Sequence, residues 1–223
     1  MPKIEVNEAL FFSLVGKHWK KREELEDALC CAKAELDEDS DKSLPETERV
    51  LKIELNDTNR PDLWGTAGCA RQLHIYHGGK IPFYPFFSIP GDMKDARMRV
   101  VVEASVEKVR PWLAGFIAHG NEVTDPGLRD MIQTQEKLSW NYGRKRRAIS
   151  MGVYRSSLIK WPIHYRAVNP LSVSFVPLQW ELCEGVETET PLTLIEILKK
   201  HPKGREYAFI QEHEPEHPLL VDA

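Results

Sequence analysis

The chain has 223 residues, 42% of them hydrophobic and 29% charged, enough to bury one medium core or two small ones. Those shares, with 15 Pro and 13 Gly, exclude fibrous, low-complexity and small disulfide-scaffold classes. Against 34 Asp and Glu stand 30 Lys and Arg, a net charge of −4, so the overall field repels phosphate and any nucleic-acid contact needs a local basic patch. Cys30, Cys31, Cys69 and Cys183 form no Cys-x-x-Cys pair, so no metal site is expected. Glu5 and Glu8 surround a short apolar run, which is wrong for a signal peptide, and no apolar run approaches the roughly 20 residues of a membrane span. The expectation is a soluble protein of a reducing compartment.

Lys3-Ile4-Glu5-Val6 alternates as a strand does. Asn7 can cap a helix that carries Leu10, Phe11, Leu14 and Val15 on one face until Gly16 ends it. A second helix is predicted over 22–33, with Leu25, Leu29 and Ala32 at helical spacing. The like charges of 35–41 predict a solvated loop, and the run lacks the glycine and terminal glutamate of a calcium loop. Residues 49–55 alternate cleanly and predict a strand. A polar turn then leads into a helix whose first turn holds Pro61 and Asp62, and whose Gly65, Gly68 and Ala70 permit close packing on a sheet. The stretch 78–95, with Pro82-Phe83-Tyr84-Pro85-Phe86-Phe87, reads as a linker between two modules. Its aromatics staple the linker to a neighbouring surface or, alternatively, offer a stacking platform for bases.

Beyond the linker, 98–104 is predicted as a strand and 110–118 as a second strand buried on both faces. Residues 128–144 read as a long helix with Met131, Gln135, Leu138 and Tyr142 along a stripe, and 148–154 returns as a strand. Residues 173–178 are extended, and 193–200 makes a short amphipathic helix. The pattern is α/β in the broad, α+β sense: two mixed modules joined by the Pro- and aromatic-rich linker, without a repeat. The sequence contains no phosphate loop, nucleophile elbow or dinucleotide fingerprint.

Candidate chemistry concentrates at Asn141-Tyr142-Gly143-Arg144-Lys145-Arg146-Arg147, the one dense cationic cluster. Cations at a helix C-terminus complement its dipole without any ligand. The other reading is that Arg144, Lys145 and Arg146 meet the phosphates of an RNA backbone. The 8 histidines are scattered and none forms a set with metal or catalytic spacing, so each reads as a surface or capping residue. Cys69 lies in a small-residue helix and reads as packing.

Several motifs agree, in order, with one family. Asn59-Arg60-Pro61-Asp62, then Gly65 and Gly68-Cys69-Ala70-Arg71, resemble a signature of the phenylalanyl-tRNA synthetase β subunit. Val109-Arg110-Pro111-Trp112, Gln135-Glu136-Lys137-Leu138 with Asn141 and Arg144-Lys145-Arg146, and Ile149-Ser150-Met151-Gly152-Val153-Tyr154 are similar to its archaeal and eukaryotic branch. Phe175-Val176-Pro177-Leu178, Tyr207-Ala208 and His217-Pro218-Leu219 with Asp222 continue in register. Two departures stand out: Arg155-Ser156-Ser157 replaces the family's usual Asp-Leu-Asp, and the sequence stops at Ala223 where the family runs on, so a fragment or truncated relative is expected.

The resemblance implies an N-terminal β-subunit domain over 1–88 and an incomplete tRNA-editing domain over 89–223. It implies a share in aminoacylation of tRNA(Phe) and in hydrolysis of tyrosine mischarged onto it. The ligase site is expected on the α subunit, which with tRNA(Phe) is the implied partner. Neither DNA nor a membrane is expected as a partner, and the compartment is the cytoplasm. No cofactor is implied within this chain; ATP and Mg serve the complete ligase. The catalytic residues are not assignable, but Ser150, Gly152 and Tyr154, alternating along one strand, with Asn141 at the preceding helix end, are expected to form one wall of the editing pocket. A free-standing RNA-binding or assembly module with the same fold and no hydrolytic activity is the alternative.

Overall fold

In the computed structural model, which describes residues 3–56, 59–84, 98–120 and 122–223, the opening alternation becomes β1 (Lys3–Asn7) with Ile4 and Val6 buried. Asn7 then caps α1 (Glu8–Val15), its side chain accepting from the Leu10 N–H at 2.9 Å, and Gly16 ends the helix at φ 74°. Next come α2 (Arg22–Cys30) and β2 (Ala34–Glu38), followed by β3 (Val50–Leu55). The three strands form an antiparallel sheet in the order β1-β3-β2, with Ile4 opposite Ile53 and Leu36 opposite Ile53 from the other side. A 3-10 turn at Pro61–Leu63 leads into α3 (Thr66–Tyr76). Ile4, Val6, Leu51, Ile53, Leu55, Phe11, Leu29, Cys69 and Leu73 make the centre of one core.

Residues 35–41 correct the sequence reading. They are not simply a solvated loop, because Ala34 and Leu36 point into the core and their acidic neighbours point out, which is strand alternation. The crowded charge is relieved across the sheet: Lys3 bonds Asp37 at 2.9 Å and Lys52 pairs with Glu38 at 2.6 Å. The loop beyond β2 folds back on the buried Glu8, whose carboxylate accepts from Ser40 Oγ at 2.8 Å and from Lys42 Nζ at 2.7 Å.

The second half holds β4 (Val100–Val102), α4 (Asp125–Lys137), β5 (Ile163–Val168), β6 (Ser174–Phe175), β7 (Leu192–Thr193), α5 (Leu194–Lys200), α6 (Pro202–Tyr207) and β8 (His217–Val221). Strand β5 runs parallel to β4 and antiparallel to β8, with Tyr165, Ala167 and Val106 in a small core backed by Val109. Strands β6 and β7 form a separate antiparallel pair. Neither β5 nor β8 is predicted from the sequence. Pro218 hides β8, which is an edge strand where a missing N–H is tolerated.

Residues 110–118 also depart from expectation. They form no regular element, and Trp112 and Phe116 are 89% and 94% exposed, because among the described residues no strand pairs with them. The compact units are Met1–Ser88 with Gly120–Val153, and Ile89–His119 with Tyr154–Ala223. The segment carrying α4 folds into the first of these units. The aromatic run at 85–87, the centre of the expected linker, lies outside the described residues.

Candidate nucleic-acid interface

The basic cluster is positioned by α4. Thr124 caps this helix, accepting from the Gly127 N–H at 3.3 Å, so it starts three residues before the predicted bound. Its polar side is what anchors it. The Gln133 side-chain amide accepts from the Glu5 N–H at 2.7 Å and donates to the Glu5 carbonyl at 2.9 Å, copying the two bonds a neighbouring strand would make to the outer edge of β1. Asp130 accepts from the Thr66 N–H at 3.1 Å at the start of α3, a carboxylate placed on the positive end of a helix dipole.

After Lys137 the helix widens into a π turn over Leu138–Tyr142, with Leu138 packed against the first core and Ser139 buried. Gly143 follows, buried so closely that a Cβ would strike the carbonyls of Ser139 and Ile149. The chain then turns left-handed through Arg144, Lys145 and Arg146, at φ 51°, 56° and 66°. For a side-chain-bearing residue this conformation costs about 1–2 kcal/mol each relative to the right-handed form. The turn is tied back in reverse order: Arg144, Lys145 and Arg146 donate their N–H groups to the carbonyls of Asn141 (3.2 Å), Trp140 (2.7 Å) and Ser139 (2.9 Å). These bonds satisfy carbonyls that a helix end leaves without partners. The Lys145 ammonium sits 5.3 Å from the centre of the Trp140 ring, within cation–π range, and Arg144 is exposed.

The candidate RNA contacts Arg144, Lys145 and Arg146 are thus brought together on one turn. The candidate pocket wall is not assembled as expected. Residues 148–154 form no strand, because among the described residues they have no ladder partner; Ser150 and Gly152 are exposed, and no alternation places them on a common face. Asn141, exposed, lies on the π turn in the first unit together with Ser150 and Gly152, whereas Tyr154, 70% exposed, belongs to the second unit. The sequence reading missed Gly143, although a glycine directly ahead of four cations at a helix end is the available signal. Among the described residues no group of three or more His, Cys, Asp or Glu could hold a metal ion, and no helix is long and apolar enough to cross a membrane.

The Asn59–Arg71 motif proves to be a packing knot. Arg60 grips Asp62 with two bonds of 2.8 Å, and Arg71 reaches the same carboxylate at 3.2 Å. The Arg60 bonds, working against partial burial, hold the Asp62 carboxyl below the usual carboxylate range. Gly68 lies against the Asp62 carbonyl with no room for a Cβ, and the Cys69 thiol donates to the Leu63 carbonyl at 2.9 Å.

No family model matches the chain. Over its whole length it is 43% identical to the phenylalanine–tRNA ligase beta subunit of Borrelia garinii and 41% identical to that of Treponema pallidum, covering 37% and 41% of them. A crystal structure of an N-terminal fragment of the phenylalanyl-tRNA synthetase beta subunit from Pyrococcus horikoshii matches with a TM-score of 0.79 at 33% identity, over 100% of this chain and 59% of that one. The fold and the matched relatives are those of an aminoacyl-tRNA synthetase subunit. Within that class the matched relatives are phenylalanine–tRNA ligase beta subunits, and the matched structure is an N-terminal fragment of one. It spans little more than a third of the length of these curated relatives.

Proposed function

We propose that the chain acts as the N-terminal part of a phenylalanine–tRNA ligase beta subunit, in complex with an α subunit and tRNA(Phe), and contributes RNA contacts to aminoacylation and editing. Whole-chain identity to beta subunits carries this reading. The exposed cationic turn supports it, being a local basic feature on a chain whose net charge is −4. ATP and magnesium chemistry belongs, in this reading, to the complete ligase, and phenylalanine activation to the α subunit. The compartment is the cytoplasm.

Editing is the finer part of the proposal. Tyrosine and phenylalanine differ by one hydroxyl, which an imperfectly selective synthetic pocket must leave to a second, hydrolytic site. Asn141, Ser150, Gly152 and Tyr154 are the residues proposed for that site. The test is deacylation of tyrosyl-tRNA(Phe) by the full-length beta subunit in its αβ complex, comparing wild type with Asn141→Ala and Gly152→Val. Slower hydrolysis with unchanged phenylalanylation is the expected result. Wild-type hydrolysis by both variants removes these residues from the site, and binding of tRNA without hydrolysis by the wild type favours the reading as an RNA-binding module.

A further inference from the structure

The cations at 144–146 sit on backbone that side chains rarely adopt. Three consecutive left-handed residues persist only where their surroundings enforce them. Here the enforcement is the set of carbonyls at Ser139, Trp140 and Asn141, and the residue that lets the chain reach them is Gly143. Consecutive residues of one helical hand do not share a face, so the three side chains diverge instead of converging on one point. Divergent cations carried on a fixed backbone suit separate phosphates along a polynucleotide better than one small anion.

We propose that residues 143–146 are a preformed grip for successive phosphates of an RNA backbone, with Gly143 as its positioning residue. The proposal rests on the RNA-binding reading above. The strained turn sets the backbone that carries the cations before RNA arrives, which lowers the ordering cost of binding. A glycine in place of any of the three relaxes the backbone and gives up both the charge and the fixed geometry.

The test uses the 223-residue chain, a tRNA(Phe) transcript, and three readouts: affinity, its salt dependence and the melting temperature. Gly143→Ala leaves the charge unchanged; it is expected to weaken binding at least about fivefold and to lower the salt slope by about one unit, as for one phosphate no longer neutralised. Arg144→Gly and Arg146→Gly are expected to bind more weakly yet melt higher, by about 2–4 °C for each kcal/mol of relieved strain. Should Gly143→Ala fail to fold, these glycine variants decide: weaker binding with a raised melting temperature supports the grip, and an unchanged or lowered melting temperature overturns it. If Gly143→Ala folds and binds with the wild-type affinity and slope, the positioning role is overturned; the RNA reading still stands if Arg144→Ala and Arg146→Ala lower the slope. If those alanine variants also leave the slope unchanged, the RNA reading falls with it.

Discussion

Gly68 and Cys69 show how tightly single residues are set in the first unit. With the Asp62 carbonyl against its Cα, Gly68→Ala forces backbone apart, and a loss of about 1–3 kcal/mol of stability is expected in a denaturant titration. Burial pushes the Cys69 thiol up to about 12, with Asp130 and Asp62 adding to the shift. The thiol is neutral in the fold at every ordinary pH, and its contribution to stability is complete below its ordinary value of 9 and lost as pH rises from there toward 12. At about pH 8 a disulfide-exchange reagent is therefore expected to modify the exposed Cys30 while Cys69 reacts only at the rate of unfolding. Mass spectrometry of the partly labelled chain checks this, and early labelling at Cys69 contradicts the burial described.

At the scale of elements, caps and staples dominate. Thr193 and Glu196 form a capping box at α5, in which the Thr193 N–H and hydroxyl hold the half-buried Glu196 carboxyl down at about 2 against an ordinary 4.5. The folded value is depressed, so the stabilisation is present above pH 4.5 and lost as pH falls through about 2. The melting-temperature gap between wild type and Glu196→Gln is expected to close over that window. For α4, Gln133→Ala removes both bonds to Glu5, each worth about 0.5–1.5 kcal/mol; a loss of about 1–2 kcal/mol and faster amide exchange at the edge of β1 are expected. These elements also show what was legible in the sequence. Asn7, Gly16 and the alternation at 50–55 speak through local rules, and β1, α1 and β3 follow from them. Strand β2 was masked by its acidic residues, whose partners Lys3 and Lys52 are distant in sequence. Residues 110–118 and 148–154 have strand-like composition, but composition carries no information about whether a neighbouring strand is present.

For the whole molecule, neither core was written as a contiguous stretch. The helix predicted over 128–144 was legible as a helix, but its placement was not, because Gln133 and Asp130 dock on Glu5 and Thr66, residues more than 60 positions earlier. The site was legible as a charge cluster and as a resemblance; its left-handed geometry depends on Gly143 and on carbonyls of the π turn that no local pattern announces. The proposed role puts that cluster on RNA, and the measurement that addresses it most directly is binding of tRNA(Phe) by the 223-residue chain across a salt series, wild type against the triple change Arg144→Ala, Lys145→Ala and Arg146→Ala. Weaker binding is predicted at every salt concentration, with a log–log slope shallower by about two to three units, one for each phosphate left without its cation. Equal affinity and an equal slope for the two proteins would contradict it and leave the three cations as charges that complement the end of a helix.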